Sequence, residues 1–150
     1  MSQRRNMPVI YIEDDEDDRK IFTDIIKEST IDYPLCCFET AEKFLNYLVA
    51  TSDEPLVIFC DINLPLQNGI ELRRQILADD KLRKKNIPFV FFSTGPIPKQ
   101  IESVQELNVQ GHFLKTHNIH KLSSTVRMII RYWSECLLNG NRIKADEYLS

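Results

Sequence analysis

Leu56 Val57 Ile58 Phe59 Cys60 Asp61 is an apolar run that ends on a carboxylate, and the turn signal Asn63 Leu64 Pro65 Leu66 Gln67 Asn68 Gly69 follows almost at once. A short apolar run bounded by a turn reads as a strand buried on both faces, as in a parallel sheet covered by helices. An acid at the carboxyl end of such a strand lies where open α/β sheets put their ligand sites. A second run, Pro8 Val9 Ile10 Tyr11 Ile12, ends in the same way on Glu13, Asp14 and Asp15. Two strands that deliver carboxylates to one edge of one sheet outline a cation site.

Outward from these two strands the pattern alternates. Ile21, Phe22, Ile25 and Ile26 recur at helical spacing between Asp15 and Ser29, and the acids Asp15, Glu16, Asp17 and Asp18 suit the positive end of that helix. Of these, Asp17 and Asp18 read as solvated charges at a helix start. A strand follows at Leu35 to Phe38, and Thr40 then caps a helix whose Phe44, Leu45, Leu48 and Val49 form one apolar face. A third helix spans Gly69 to Asp80 with Ile70, Leu72, Ile76 and Leu77, and the polar stretch Lys81 to Asn86 leads into the strand Phe89 Val90 Phe91 Phe92, closed by Ser93, Thr94 and Gly95. A short helix from Lys99 to Leu107, a strand at Gly111 to Leu114 and a long helix from Lys121 complete the series. That last helix buries Leu122, Val126, Ile129, Ile130, Trp133 and Leu137, with Asn118 as its cap. Five strands alternating with five helices predict an α/β fold, a doubly wound (βα)5 three-layer sandwich with the flavodoxin-like strand order 2-1-3-4-5.

The 150 residues suit a single domain, 1–150, with a core over about 7–138 and a polar tail at 139–150. An apolar fraction of 43% and a net charge of −3 are ordinary for a globular protein and point away from nucleic acid as a partner. Cys36, Cys37, Cys60 and Cys136 lack the paired spacing of zinc sites and read as small, reduced core residues. No apolar run approaches the ~20 residues of a membrane span, and the residues before the first strand form no leader, so a cytoplasmic location is expected.

In the expected strand order the first and third strands are neighbours, which brings Glu13, Asp14 and Asp61 together, while the fourth and fifth strands contribute Ser93 and Lys115. Three carboxylates are balanced by one lysine and one divalent ion. Mg2+ suits such oxygen donors and leaves positions for phosphate oxygens, and the backbone carbonyl of Asn63 can add another ligand. An ionised carboxylate needs no general base to attack phosphorus.

These residues resemble the receiver domain of bacterial two-component response regulators, over about Met7 to Leu138. The resemblance rests on Tyr11 Ile12 Glu13 Asp14 Asp15, on Cys60 Asp61 Ile62 Asn63 Leu64 Pro65 with Asn68 Gly69, on Phe92 Ser93 Thr94 and on Phe113 Leu114 Lys115. It implies that Asp61 is the phosphoacceptor and Asp14 a direct Mg2+ ligand, with Glu13 bound through water and Asn63 through its carbonyl. Ser93 is implied as the switch hydroxyl, Lys115 as the phosphate-contacting lysine and His112 as the partner switch position. The implied partners are a sensor histidine kinase or histidine phosphotransfer protein and a downstream protein target. The polar stretch Asp79 to Lys84 resembles that of stand-alone receivers, which signal by binding rather than by turning over a substrate.

The chain departs from the family pattern in three places. Thr116 follows the lysine where proline is usual, Gly95 Pro96 Ile97 Pro98 makes a rigid loop, and His112 replaces an aromatic phenol or phenyl ring. Two other readings stand beside the receiver. One is a degenerate receiver that binds without phosphate. The other is a phosphohydrolase of the haloacid-dehalogenase type, which would need a second aspartate where Asn63 stands.

Overall fold

Val9–Ile12 (β1), Val57–Asp61 (β3) and Phe89–Ser93 (β4) are buried at every residue, which is what their unbroken apolar sequences demand of strands covered on two sides. Leu35–Phe38 (β2) and Gly111–Leu114 (β5) are only partly buried and form the edges. The sheet is parallel throughout, in the order β2-β1-β3-β4-β5, as the sequence predicts. The structure is a computed structural model and describes residues 6–95 and 106–136.

Five helices lie among the described residues: α1 (Glu16–Glu28), α2 (Ala41–Ala50), α3 (Gly69–Ala78), α4 (Asp80–Arg83) and α5 (Ile119–Glu135). Side chains leave a strand alternately to its two faces. Accordingly Ile10, Ile58, Cys60, Phe89 and Phe91 join Phe44, Leu48, Leu72 and Ile76 in one core under α2 and α3. Val9, Tyr11, Val57, Phe59, Val90 and Phe92 join Phe22, Ile25, Val126 and Ile129 in the other, under α1 and α5.

Two helix starts follow the expected caps, Thr40 on α2 and Asn118 on α5, while Asp15, expected within the first turn of α1, stands just before it as its cap. Asp15 accepts from the Asp18 amide, Thr40 from Lys43 and Asn118 from Lys121, so α5 begins at Ile119, slightly before the expected Lys121. Asn68 and Glu71 form a reciprocal capping box on α3. Gly69 is required there for space, because a Cβ would sit 2.6 Å from the Asp61 carbonyl oxygen. That close approach seats the start of α3 against the end of β3.

Three expectations are corrected. The third helix stops at Ala78, and the polar stretch after it is not a plain connector but contains the one-turn α4. Asp79 ends α3 and caps α4, accepting from the Lys81 and Leu82 amides, and Leu82 is buried. Val49, assigned to the apolar face of α2, is 70% exposed because that face centres on Phe44 and Leu48. The two-proline segment, the expected helix from Lys99 as far as residue 105, Leu137 and the tail lie outside the described residues.

One cation inside this frame was not expected. Arg73 on α3 is buried, donates 2.9 Å hydrogen bonds to the carbonyls of Leu107 and Asn108, and lies over the Phe89 ring. Burial lowers its guanidinium to about 10.

Candidate functional site

The register of β1 against β3, with Ile12 opposite Cys60, puts Asp61 level with the residues that follow Ile12. Carboxylate oxygens of Glu13, Asp14 and Asp61 lie within 4.8 Å of one another. Glu13 is almost wholly buried, Asp61 is buried and Asp14 is exposed. Burial pushes the Asp61 carboxyl up to about 6; the charges of Asp14 and Asp18 add to that push, and a 3.2 Å hydrogen bond from the Asn63 amide opposes it. Three hard oxygen donors in one cluster, one open to solvent, fit a Mg2+ ion that keeps part of its water shell.

Lys115 follows β5, and its backbone amide donates to the Ser93 carbonyl at 2.7 Å, which fixes where the side chain starts. Its ammonium bonds the Glu13 carboxylate and Asp18 Oδ2 (3.0 Å), and stands 3.7 Å from Asp61 Oδ2. Burial lowers Lys115 to about 8. Asp18 is therefore not the solvated charge its place in the first turn of α1 suggested. Its carboxyl is pushed up by burial and then by Asp15 and Asp17. With Asp18 included, four carboxylates share the site with one lysine, three of them within 4 Å of its ammonium, so a divalent ion would reduce the negative excess without cancelling it.

Ser93 and His112 take the other side of the sheet edge. The two-residue period carries Asp61 to the side of Phe59, and Ser93 and His112 to the side of Phe91, whose ring meets His112 edge-on. Ser93 Oγ and His112 Nε2 are 2.8 Å apart, a hydrogen bond whose donor depends on the imidazole tautomer. Burial lowers the His112 pKa, which favours the neutral ring. The Lys115–Thr116 peptide is trans, and Thr116 Oγ1 accepts from the Asn118 amide in the turn into α5.

Glu13, Asp14, Asp61 and Lys115 are thus brought together at the carboxyl end of the sheet, with Asn63 joined to Asp61 through its amide, while Ser93 and His112 pair with each other on the opposite face. Two members were missed. The Tyr11 hydroxyl donates to Glu13 Oε1 at 3.4 Å, and burial raises the phenol far enough to keep it protonated. Asp18 is the other. Tyr11 interrupts an otherwise aliphatic strand, which was a usable signal; Asp18 had none, since its partner lies 97 residues away.

A family model described as the response regulator receiver domain matches residues 9–127. The response regulator Rcp1 of Synechocystis is 28% identical over 142 residues, which span 90% of this chain and 95% of that protein. Among solved structures, the phosphorylated cyanobacterial phytochrome response regulator RcpA matches with a TM-score of 0.75 at 25% identity, over 86% of this chain and 94% of that one. The Mn2+-bound form of Rcp1 matches with a TM-score of 0.73 at 26% identity, over 87% and 96%.

Proposed function

The chain belongs to the response regulator receiver family of phosphorelay signalling, and from that premise we propose that Asp61 accepts a phosphoryl group from the phosphohistidine of a sensor kinase or phosphotransfer protein. One observation carries the assignment. Asp61 shares a carboxylate cluster with Glu13 and Asp14 and faces the Lys115 ammonium at 3.7 Å. An Asp61 oxygen forms the new bond to phosphorus as the bond from phosphorus to the histidine nitrogen breaks, and the electron pair leaves on the imidazole.

Glu13, Asp14, Asp61 and the Asn63 carbonyl would hold Mg2+, which when bound supplies positive charge to the phosphoryl oxygens. A relative whose Mn2+-bound form has been solved supports a divalent ion here. Lys115 offsets the remaining charge as it develops in the loose transition state. Ser93 donates to the phosphoryl group once its hydroxyl leaves His112, and that exchange biases the edge between two arrangements. The product is a signal read by a downstream protein, consistent with a stand-alone domain acting in the cytoplasm. Among the described residues no helix is long and apolar enough to cross a membrane.

Asn63 occupies the place a phosphohydrolase of the haloacid-dehalogenase type gives to its acid–base aspartate, and this favours a signalling role over turnover. Acetyl phosphate with Mg2+ tests the reading. A phosphoryl adduct on the peptide containing Asp61, lost in Asp61→Asn, is the expected mass-spectrometric result. Full labelling of Asp61→Asn refutes the assignment, and an unlabelled wild type that still binds Mg2+ favours the degenerate receiver.

A further inference from the structure

Asp18 is a fourth carboxylate at the site, and it does something the other three do not. Its oxygens lie outside the cluster that Glu13, Asp14 and Asp61 form, so it adds negative charge without joining that set of ligands. Its contact is with the lysine. Lys115 Nζ is 3.0 Å from Asp18 Oδ2 and 3.7 Å from Asp61 Oδ2, and an N–H···O bond spans about 2.7–3.2 Å. The ammonium is therefore bonded to Asp18 and Glu13 and only faces Asp61.

We propose that Asp18 is a restraining residue, which holds Lys115 away from Asp61 and so lowers the site's affinity for a phosphoryl group. This deepens, and rests on, the reading of Asp61 as the phosphoacceptor. A phosphoryl group adds negative charge at Asp61 and draws the ammonium toward it, and Lys115 must give up Asp18 to answer. The backbones on both sides are fixed, Asp18 N by the Asp15 cap and Lys115 N by the Ser93 carbonyl, so the exchange is confined to side chains. A small cleft lined in part by Tyr11, Asp18, Thr94, Lys115 and Thr116 adjoins the pair. The ammonium is largely shielded from water and the carboxylate partly so, with side-chain exposures of 10% and 35%, so the pair is screened less than one on an open surface.

Asp18→Asn removes the charge and keeps the shape, and it moves two affinities in opposite directions. Mg2+ binding should weaken about two- to threefold, because one nearby negative charge is gone. Binding of the phosphoryl mimic beryllofluoride at saturating Mg2+ should tighten about fivefold, because Lys115 is released to Asp61. Asp18→Ala, which also removes the accepting oxygen, should tighten beryllofluoride binding further, to about tenfold.

Asp17→Asn is the control. It removes the same charge from the same helical turn but from an exposed residue, and it should change beryllofluoride affinity less than about twofold. Circular dichroism with each titration confirms that the variant is folded. A folded Asp18→Asn protein with unchanged or weaker beryllofluoride affinity overturns the restraint and leaves Asp61 as the acceptor. A wild-type protein that binds Mg2+ but no beryllofluoride overturns the phosphoacceptor reading, and the restraint with it.

Discussion

Lys115 and Arg73 are both cations withdrawn from water, and burial lowers the pKa of each, yet they sit in opposite company. Arg73 meets no carboxylate in its hydrogen bonds. Its fork closes on two backbone carbonyls and its plane lies over Phe89, partners that neither titrate nor leave. Lys115 is surrounded by acids that a metal ion or a phosphoryl group would compete for. A cation among fixed dipoles has one arrangement and acts as a brace, whereas one among exchangeable charges has several and can take part in a switch.

The largest expected effect separates the two by stability. Arg73→Ala strands two carbonyls that a charged donor had satisfied, and should cost about 3 kcal/mol in urea denaturation. Mg2+ should recover none of it. Arg73→Lys, which cannot form the planar fork, should fall between wild type and alanine. Full stability in Arg73→Ala would break the comparison, since the brace would then carry no load.

Lys115→Met should cost less in the metal-free protein, about 2 kcal/mol against the ~3–5 kcal/mol of a fully buried pair, because Glu13 is left buried without its cation at a site that Asp14 and Asp18 keep partly open to water. Here millimolar Mg2+ should close most of the gap, and it should also raise the melting temperature of wild type. Thermal melts with and without EDTA read both outcomes. A deficit in Lys115→Met that is unchanged by Mg2+ would place Lys115 with Arg73 as a structural cation.

His112 provides the smallest effect and a third case, a half-buried base bonded to a hydroxyl. Its folded pKa lies below the usual 6.5, so the unfolded chain binds more protons between those two values. Stability from this group is complete above pH 6.5 and is lost as pH falls through that window. Removing the base in His112→Phe should flatten that part of the stability–pH profile, measured by urea denaturation in steps below pH 6.5. An unchanged slope would show that the Ser93–His112 contact contributes nothing to the fold.

The sequence made the strands readable because burial on two faces leaves only apolar residues between turn signals. Leu35–Phe38 and Gly111–Leu114 were located to the residue. The edge acids were readable for a related reason, since a charge that ends an apolar run has one place to go. Helix α4 was not readable because four residues, three of them charged, carry no period, and its support comes from Asp79 and the single buried Leu82. Val49 misled because an apolar residue beside a stripe can still point to solvent. Arg73 was overlooked although it stands three residues from both Ile70 and Ile76, on the stripe itself. The bond from Asp18 to Lys115 joins the first helix to the last strand, and no local pattern encodes it.

The parallel register also orders events in time. β1 pairs with β3, Val9 opposite Val57, and β5 reaches the sheet only through β4. Glu13, Asp14, Asp18 and Asp61 all precede Lys115 in the chain, so during synthesis the four acids emerge before their cation does. Contacts so distant in sequence form slowly, and here the late strand also carries the charge that quiets the early ones. Docking of β5 is thus an electrostatic step as well as a hydrophobic one, because it brings Lys115 against Glu13 and Asp18.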